Sequence, residues 1–151
     1  MKAIILTYAP ITDFERNILK KTDIFKLALN QHAEELEPDM RIITDYVLPK
    51  ILSKFSQKVV SLREKLRYYS ERVEYFDAEF KGTTISAAIE YLMYKNFDEI
   101  LIVGDNNVHS DEFKNLVNQS IESISNKPKI YQYSKGNFNL PILKISDFCA
   151  K

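Results

Sequence analysis

Cysteine is almost missing from this chain. The single Cys149, in 151 residues, excludes an internal disulfide and any thiol-based metal site. A lone cysteine near the end of the sequence fits a reducing cytoplasm, the expected location. Neither sign of charge is in excess. Lys plus Arg and Asp plus Glu both number 21, which removes the electrostatic case for nucleic acid or an anionic membrane as partner. No apolar run approaches the ~18 residues that a membrane span requires. The run near Met1 is also too short for a signal peptide. Internal repeats and low-complexity linkers are absent. There is no Walker loop, zinc-ligand spacing, Gly-x-Ser-x-Gly elbow or full Gly-x-Gly-x-x-Gly fingerprint. Those absences exclude ordinary kinases, α/β-hydrolases and dehydrogenases.

What is present is a 45% hydrophobic content, enough to exclude disorder. The length suits a single domain over 1–151 with a real core. Lys2–Leu6 reads as a short buried strand. Thr12 and Glu15 then have capping-box spacing, and Ile11, Phe14, Ile18 and Leu19 follow as a helical face. Further strands are expected at residues 24–29, 41–44 and 58–61. Between the last two, Leu48, Ile51, Leu52 and Phe55 form a helical stripe, with Pro49 in its first turn. Residues 62–80, rich in charge and tyrosine, read as an irregular or short helical connection over the sheet.

The clearest unit comes next. Thr83 or Thr84 caps a helix whose face is Ile85, Ala88, Ile89, Leu92 and Met93. Residues 100–103 are a buried strand ended by Gly104-Asp105-Asn106-Asn107. Ser110 caps a helix with face Phe113, Leu116, Val117, Ile121 and Ile124. Residues 129–133 give a sixth strand and 141–145 a last extended piece. Strands alternating with helices imply βαβ units: a three-layer, Rossmann-like α/β domain with a mostly parallel sheet of about six strands. Such sheets bind ligands beyond the carboxyl ends of their strands. The candidate site segments are therefore residues 7–11, 30–32, 44–46, 61–64 and 104–109. The Gly82-Thr83-Thr84 turn joins them, because a helix start offers free N–H groups to an anion.

Four blocks in order carry a family likeness: Tyr8-Ala9-Pro10-Ile11-Thr12, Leu29-Asn30-Gln31, Gly82-Thr83-Thr84-Ile85-Ser86-Ala87-Ala88, and Glu99-Ile100-Leu101-Ile102-Val103-Gly104-Asp105. The tail at Ile130-Tyr131-Gln132-Tyr133-Ser134 and Leu140-Pro141-Ile142 adds to it. In this layout the chain resembles the Rossmann-like domain of Campylobacter-type sialyltransferases, motility accessory factors and 6-hydroxymethylpterin diphosphokinases. The resemblance implies a nucleotide or nucleotide-sugar pocket, and a glycosyl- or diphosphoryl-transferase, sialyltransferase-like, in surface glycan synthesis. It implies no metal for sialyl transfer and Mg²⁺ for a diphosphokinase. The first turn departs from the pattern. Ala9 and Pro10 replace its glycines, which hinders close phosphate approach, and Tyr8 stands where a contact asparagine is expected. The chain also leaves little room for a catalytic lid. The alternative is a non-catalytic accessory module that binds a nucleotide or a partner.

The candidate residues follow. Asn30 and Gln31 can hydrogen-bond a base or sugar, although Asn also simply ends strands. Thr83 and Thr84 can hold a phosphate or merely cap. Gly104, Asp105 and Asn106 form a polar loop suited to ribose hydroxyls or to plain turn chemistry. Asp45 can meet a ribose or cap a helix, Lys81 is the cation best placed for an anion, and Tyr8 and Pro10 shape the first turn. His109 is the general-base candidate, against the reading of an exposed loop histidine. His32 is expected near the same edge. Arg63, Lys65 and Arg67 are read chiefly as a solvated face. Tyrosines 68, 69 and 75 suit a base, a core or a neighbouring subunit, so a homo-oligomer is one expected partnership.

Overall fold

The computed structural model describes residues 1–8, 10–44, 50, 53–62, 73–77, 82–104, 110–133 and 138–150. Its strands are β1 (Lys2–Leu6), β2 (Phe25–Leu29), β3 (Met40–Ile42), β4 (Lys58–Leu62), β5 (Val73–Phe76), β6 (Glu99–Val103) and β7 (Lys129–Gln132). Its α-helices are α1 (Asp13–Lys21), α2 (Thr84–Tyr94), α3 (Asp111–Glu122) and the short α4 (Ile145–Cys149), with a 3₁₀ turn at Glu34–Leu36. β1 and β6 are the most apolar strands, and every residue after the first is buried in each. Continuous apolar runs of this kind belong where helices cover both faces of a parallel sheet.

The strands form one seven-stranded sheet in the order β5-β4-β3-β2-β1-β6-β7. All of its pairings are parallel. The chain moves outward from β1 to β5, then returns to place β6 on the free side of β1. The helix after β1, α1, covers one face, and α2 and α3, which flank β6 in sequence, cover the other. On one face Ile5, Leu27, Ile42 and Ile102 pack with Ile89 and Leu92 of α2 and Val117 and Ile121 of α3. On the other, Ile4, Leu6, Ala28 and Leu101 pack with Leu19 of α1 and Phe148 of α4. Each fully buried aliphatic or aromatic side chain contributes about 1.5–3 kcal/mol, whereas a helix cap contributes about 1 kcal/mol. The two apolar faces, rather than the caps, therefore hold the three layers together. The result is a three-layer, Rossmann-like α/β fold. Among the described residues no helix is long and apolar enough to cross a membrane.

The expected mostly parallel sheet is borne out: it is parallel throughout among the described residues and has seven strands, slightly more than about six. Two expectations need correction. The extra strand is β5, inside the stretch read as an irregular connection. It pairs in register with β4, Val59 opposite Val73 and Leu62 opposite Phe76. The piece at 141–145 is not an extended strand. Only Ile142 bridges to Gln132, and the chain then turns into α4. The helix expected around Leu48 and Ile51 lies largely outside the described residues, although Phe55 is buried.

Candidate functional site

β1 lies between β2 and β6, so the order in which strands are added reverses at β1. Reversal of this kind opens a crevice beyond the strands' carboxyl ends. The exits of β1 and β6 run together there. The Thr7 N–H donates to the Val103 carbonyl at 3.0 Å. Gly104 follows with φ +125°, and a Cβ at that position would stand 2.7 Å from the Tyr8 carbonyl oxygen. Gly104 thus serves the close approach of two backbones, a role only glycine fills without strain.

A cavity of about 260 Å³ opens between the exits of β1 and β2 and the starts of α2 and α3. Five residues singled out in the sequence line it: Tyr8, Asn30, His32, Thr83 and Thr84. Asn30 follows β2 in the left-handed region, φ 49°. Its Nδ2 donates to Thr84 Oγ1 at 3.4 Å, and Thr84 Oγ1 lies 2.7 Å from the hydroxyl of Thr44. Asn30 Oδ1 is buried and, among the described residues, has no hydrogen-bond partner. An unpaired buried acceptor costs about 1–3 kcal/mol, which a donor on a ligand would recover.

Thr83 behaves differently from Thr84. It is 4% exposed, accepts from the Ser86 N–H at 3.3 Å and lies 2.8 Å from the Ser120 hydroxyl. It is the cap of α2 and the bolt between α2 and α3. The rest of the wall is apolar: Leu29, Ile85, Phe113 and Val117. The sequence shows these only as members of core stripes. The available signal is position, since Ile85 and Phe113 open their stripes at the helix ends nearest the strand exits.

A second cavity, about 420 Å³, shares Thr7, Tyr8 and His32 with the first. Pro10 and Gln31 line it, with Arg16 and Glu35. Those last two form a loose ion pair at 3.8 Å. Tyr8, 63% exposed, and His32 are therefore a partition between two compartments. Asp45, Lys81, Asp105, Asn106 and His109 lie outside the described residues. Among the described residues, no group of three or more His, Cys, Asp or Glu is placed to hold a metal ion.

The helix starts are electrostatically unequal. At α1, Thr12 accepts from the Glu15 N–H at 3.1 Å and Glu15 accepts from the Thr12 N–H at 3.0 Å. This reciprocal box, with Asp13 beside it, fills the donors and repels an anion. α3 begins with Asp111 and Glu112. α2 has no acid in its first turn, and its start lines the first cavity. Partial burial pushes the Glu15 carboxyl up, but hydrogen bonds from Tyr133 and Thr12 outweigh it and hold Glu15 below the usual range.

The loop from β2 to β3 walls both cavities. It contains three left-handed non-glycine residues, Asn30 (φ 49°), Ala33 (φ 61°) and Glu37 (φ 53°). Each costs about 1–2 kcal/mol, least for Asn. Such a conformation persists only where its surroundings impose it. Comparison with protein-family models, curated proteins and solved structures finds no match to this chain.

Proposed function

We propose that the first cavity binds a nucleotide or nucleotide-sugar. The observation that carries this reading is Asn30 Oδ1, a buried acceptor without a partner among the described residues, beside Thr84 at the cavity where the acid-free start of α2 opens. The apolar wall suits the face of a base. Asn30 suits a ring or exocyclic N–H, and the start of α2 suits a phosphate. Ligand pockets usually hold about 300–1,000 Å³. The first cavity alone, at about 260 Å³, falls below that range, so the ligand extends from it into the adjoining cavity.

Transfer chemistry of the glycosyl or diphosphoryl kind, as in sialyltransferase-like enzymes of surface glycan synthesis, is the enzymatic form of this reading. The general base would be His109. For diphosphoryl transfer the residues would also have to hold Mg²⁺. Glu35 on the second cavity is engaged with Arg16, so the described residues supply no such ligand set. A specific observation favours the second reading, a non-catalytic accessory module: the α1 start, where related folds cradle phosphate, is closed by its own carboxylates.

Thermal-shift titration with CMP, a CMP-sugar and other nucleotides tests the proposal, since a ligand of the folded state raises stability by mass action. A rise in Tm with one nucleotide, reduced in Thr84→Val, is the expected result. No shift with any nucleotide at about tenfold above a millimolar Kd, where mass action predicts ~1.4 kcal/mol, sinks it. Turnover lost in His109→Ala separates the enzyme from the accessory module.

A further inference from the structure

Arg41 touches neither cavity. It lies in β3 with no exposed surface, in a central strand, where an arginine is rare without a purpose. Its Nη1 donates to the Asn30 carbonyl at 2.8 Å and to the His32 carbonyl at 2.5 Å. Its Nη2 meets Glu34 Oε2 at 2.6 Å. The guanidinium lies 4.2 Å from the ring centre of Phe55. A second buried cation acts on the same loop. Lys26 Nζ donates to the Leu19 carbonyl at 2.9 Å and to the Leu36 carbonyl at 3.4 Å. Both cations belong to strands beneath the loop, and both donate to main-chain carbonyls, Arg41 also to the Glu34 carboxylate.

A loop built of left-handed residues relaxes unless something holds it. Here the fork of a guanidinium, rigid and with several donors, spans the first half of the loop, from Asn30 at the first cavity to Glu34 at the 3₁₀ turn. We propose that Arg41 is a positioning residue: it holds the β2–β3 loop in its strained form and so aims Asn30 and His32 at the crevice before any ligand arrives. The clamp itself stands on geometry alone, and its effect on affinity rests on the nucleotide reading above. A site organised in advance avoids the ordering cost of binding, so loosening the loop weakens the ligand without removing any contact to it.

The test compares the full chain with Arg41→Met, which keeps an apolar filler on Phe55, and with Glu34→Gln, whose parent side chain is 42% exposed. Hydrogen exchange follows the loop amides of His32, bonded to the Leu29 carbonyl at the end of β2, and of Leu36 and Glu37, bonded within the loop, against Ile5 and Ile102 in β1 and β6. CMP is the ligand probe. In Arg41→Met the loop amides exchange at least tenfold faster, the central strands keep their protection, and the Kd for CMP rises at least fivefold. If Arg41→Met does not fold, Glu34→Gln decides, with the same pattern at about threefold. Loop exchange as in the parent chain overturns the clamp, as does faster exchange spread evenly over the sheet. A loosened loop with unchanged Kd overturns the positioning role. A parent chain that binds no nucleotide defeats the functional reading, while the exchange pattern still decides whether the clamp exists.

Discussion

Gly104 and Tyr8 touch backbone to backbone: a Cβ on Gly104 would sit 2.7 Å from the Tyr8 carbonyl and 2.8 Å from Thr7 Cγ2. Real Cβ atoms do not come so near a main-chain oxygen, so the exits of β1 and β6 can adjoin only while residue 104 has no side chain.

Gly104→Ala therefore has to push two strand ends apart and also adopt φ +125°. We expect a loss of about 3 kcal/mol, at the upper end of single-substitution effects. Gly82 is the control. Its φ is +95°, but the nearest atom to a new Cβ is Leu116 Cδ1 at 3.6 Å, so Gly82→Ala should cost only about 1 kcal/mol of backbone strain. Urea denaturation of both variants measures the difference, and equal losses would show that the 104 contact is not tight.

Thr83 and Thr84 are neighbours with opposite duties. Thr83→Val removes the α2 cap and the link to Ser120, at about 1–2 kcal/mol of stability. Thr84→Val leaves the cap intact but strips a hydroxyl from the cavity and a partner from Thr44, and should weaken nucleotide binding about tenfold, the effect of one lost hydrogen bond of ~1.4 kcal/mol. Denaturation and ligand titration on the two variants should rank them in opposite orders. The same ranking by both measurements would contradict this division of roles.

The Glu15–Tyr133 pair predicts a pH dependence with two arms. Glu15 is held below its ordinary 4.5, so its stabilising contribution is complete above that value and lost as pH falls through the lower folded value. Burial, and then the hydrogen bond to Glu15 and its charge, push the Tyr133 hydroxyl up from 10 to about 12. Its contribution is complete below pH 10 and lost as pH rises towards 12. Tm should thus be flat between these arms, and Tyr133→Phe should shallow both. The acid arm should persist in part, because Thr12 still bonds Glu15. Superimposable profiles for the two proteins would rule out the coupling.

Where the sequence could be read, and where not, follows from physics. β1, β6, α1 and α2 were legible because burial on both faces demands an unbroken apolar run and because Thr12, Glu15 and Thr83 announce helix starts. β5 was hidden, since its residues are only partly buried after Val73 and its register comes from pairing with β4 rather than from local alternation. α4 was hidden for a similar reason: five residues without a side-chain cap are too few to show a helical period. At the site, Asn30 and Thr84 were found because strand ends and helix starts are readable positions. Leu29, Phe113 and Val117 were not, because an apolar cavity wall uses the same residue types as a core. Arg41 gave no signal at all. Its meaning depends on carbonyls that only the folded loop brings beneath its reach.

The central pairing of the sheet sets an order of events. β1 meets β2 after a short excursion, but Ile4 must wait for Leu101 to complete its other side. Closing so long a loop carries the larger entropic toll, and contacts between distant residues slow folding. The crevice lies on that late seam. A nascent chain that has emerged only as far as β5 has most of its sheet but an open flank on β1, and no pocket. The first cavity, walled in part by Phe113 and Val117 of α3, is thus complete only after β6 docks and Gly104 settles against Tyr8.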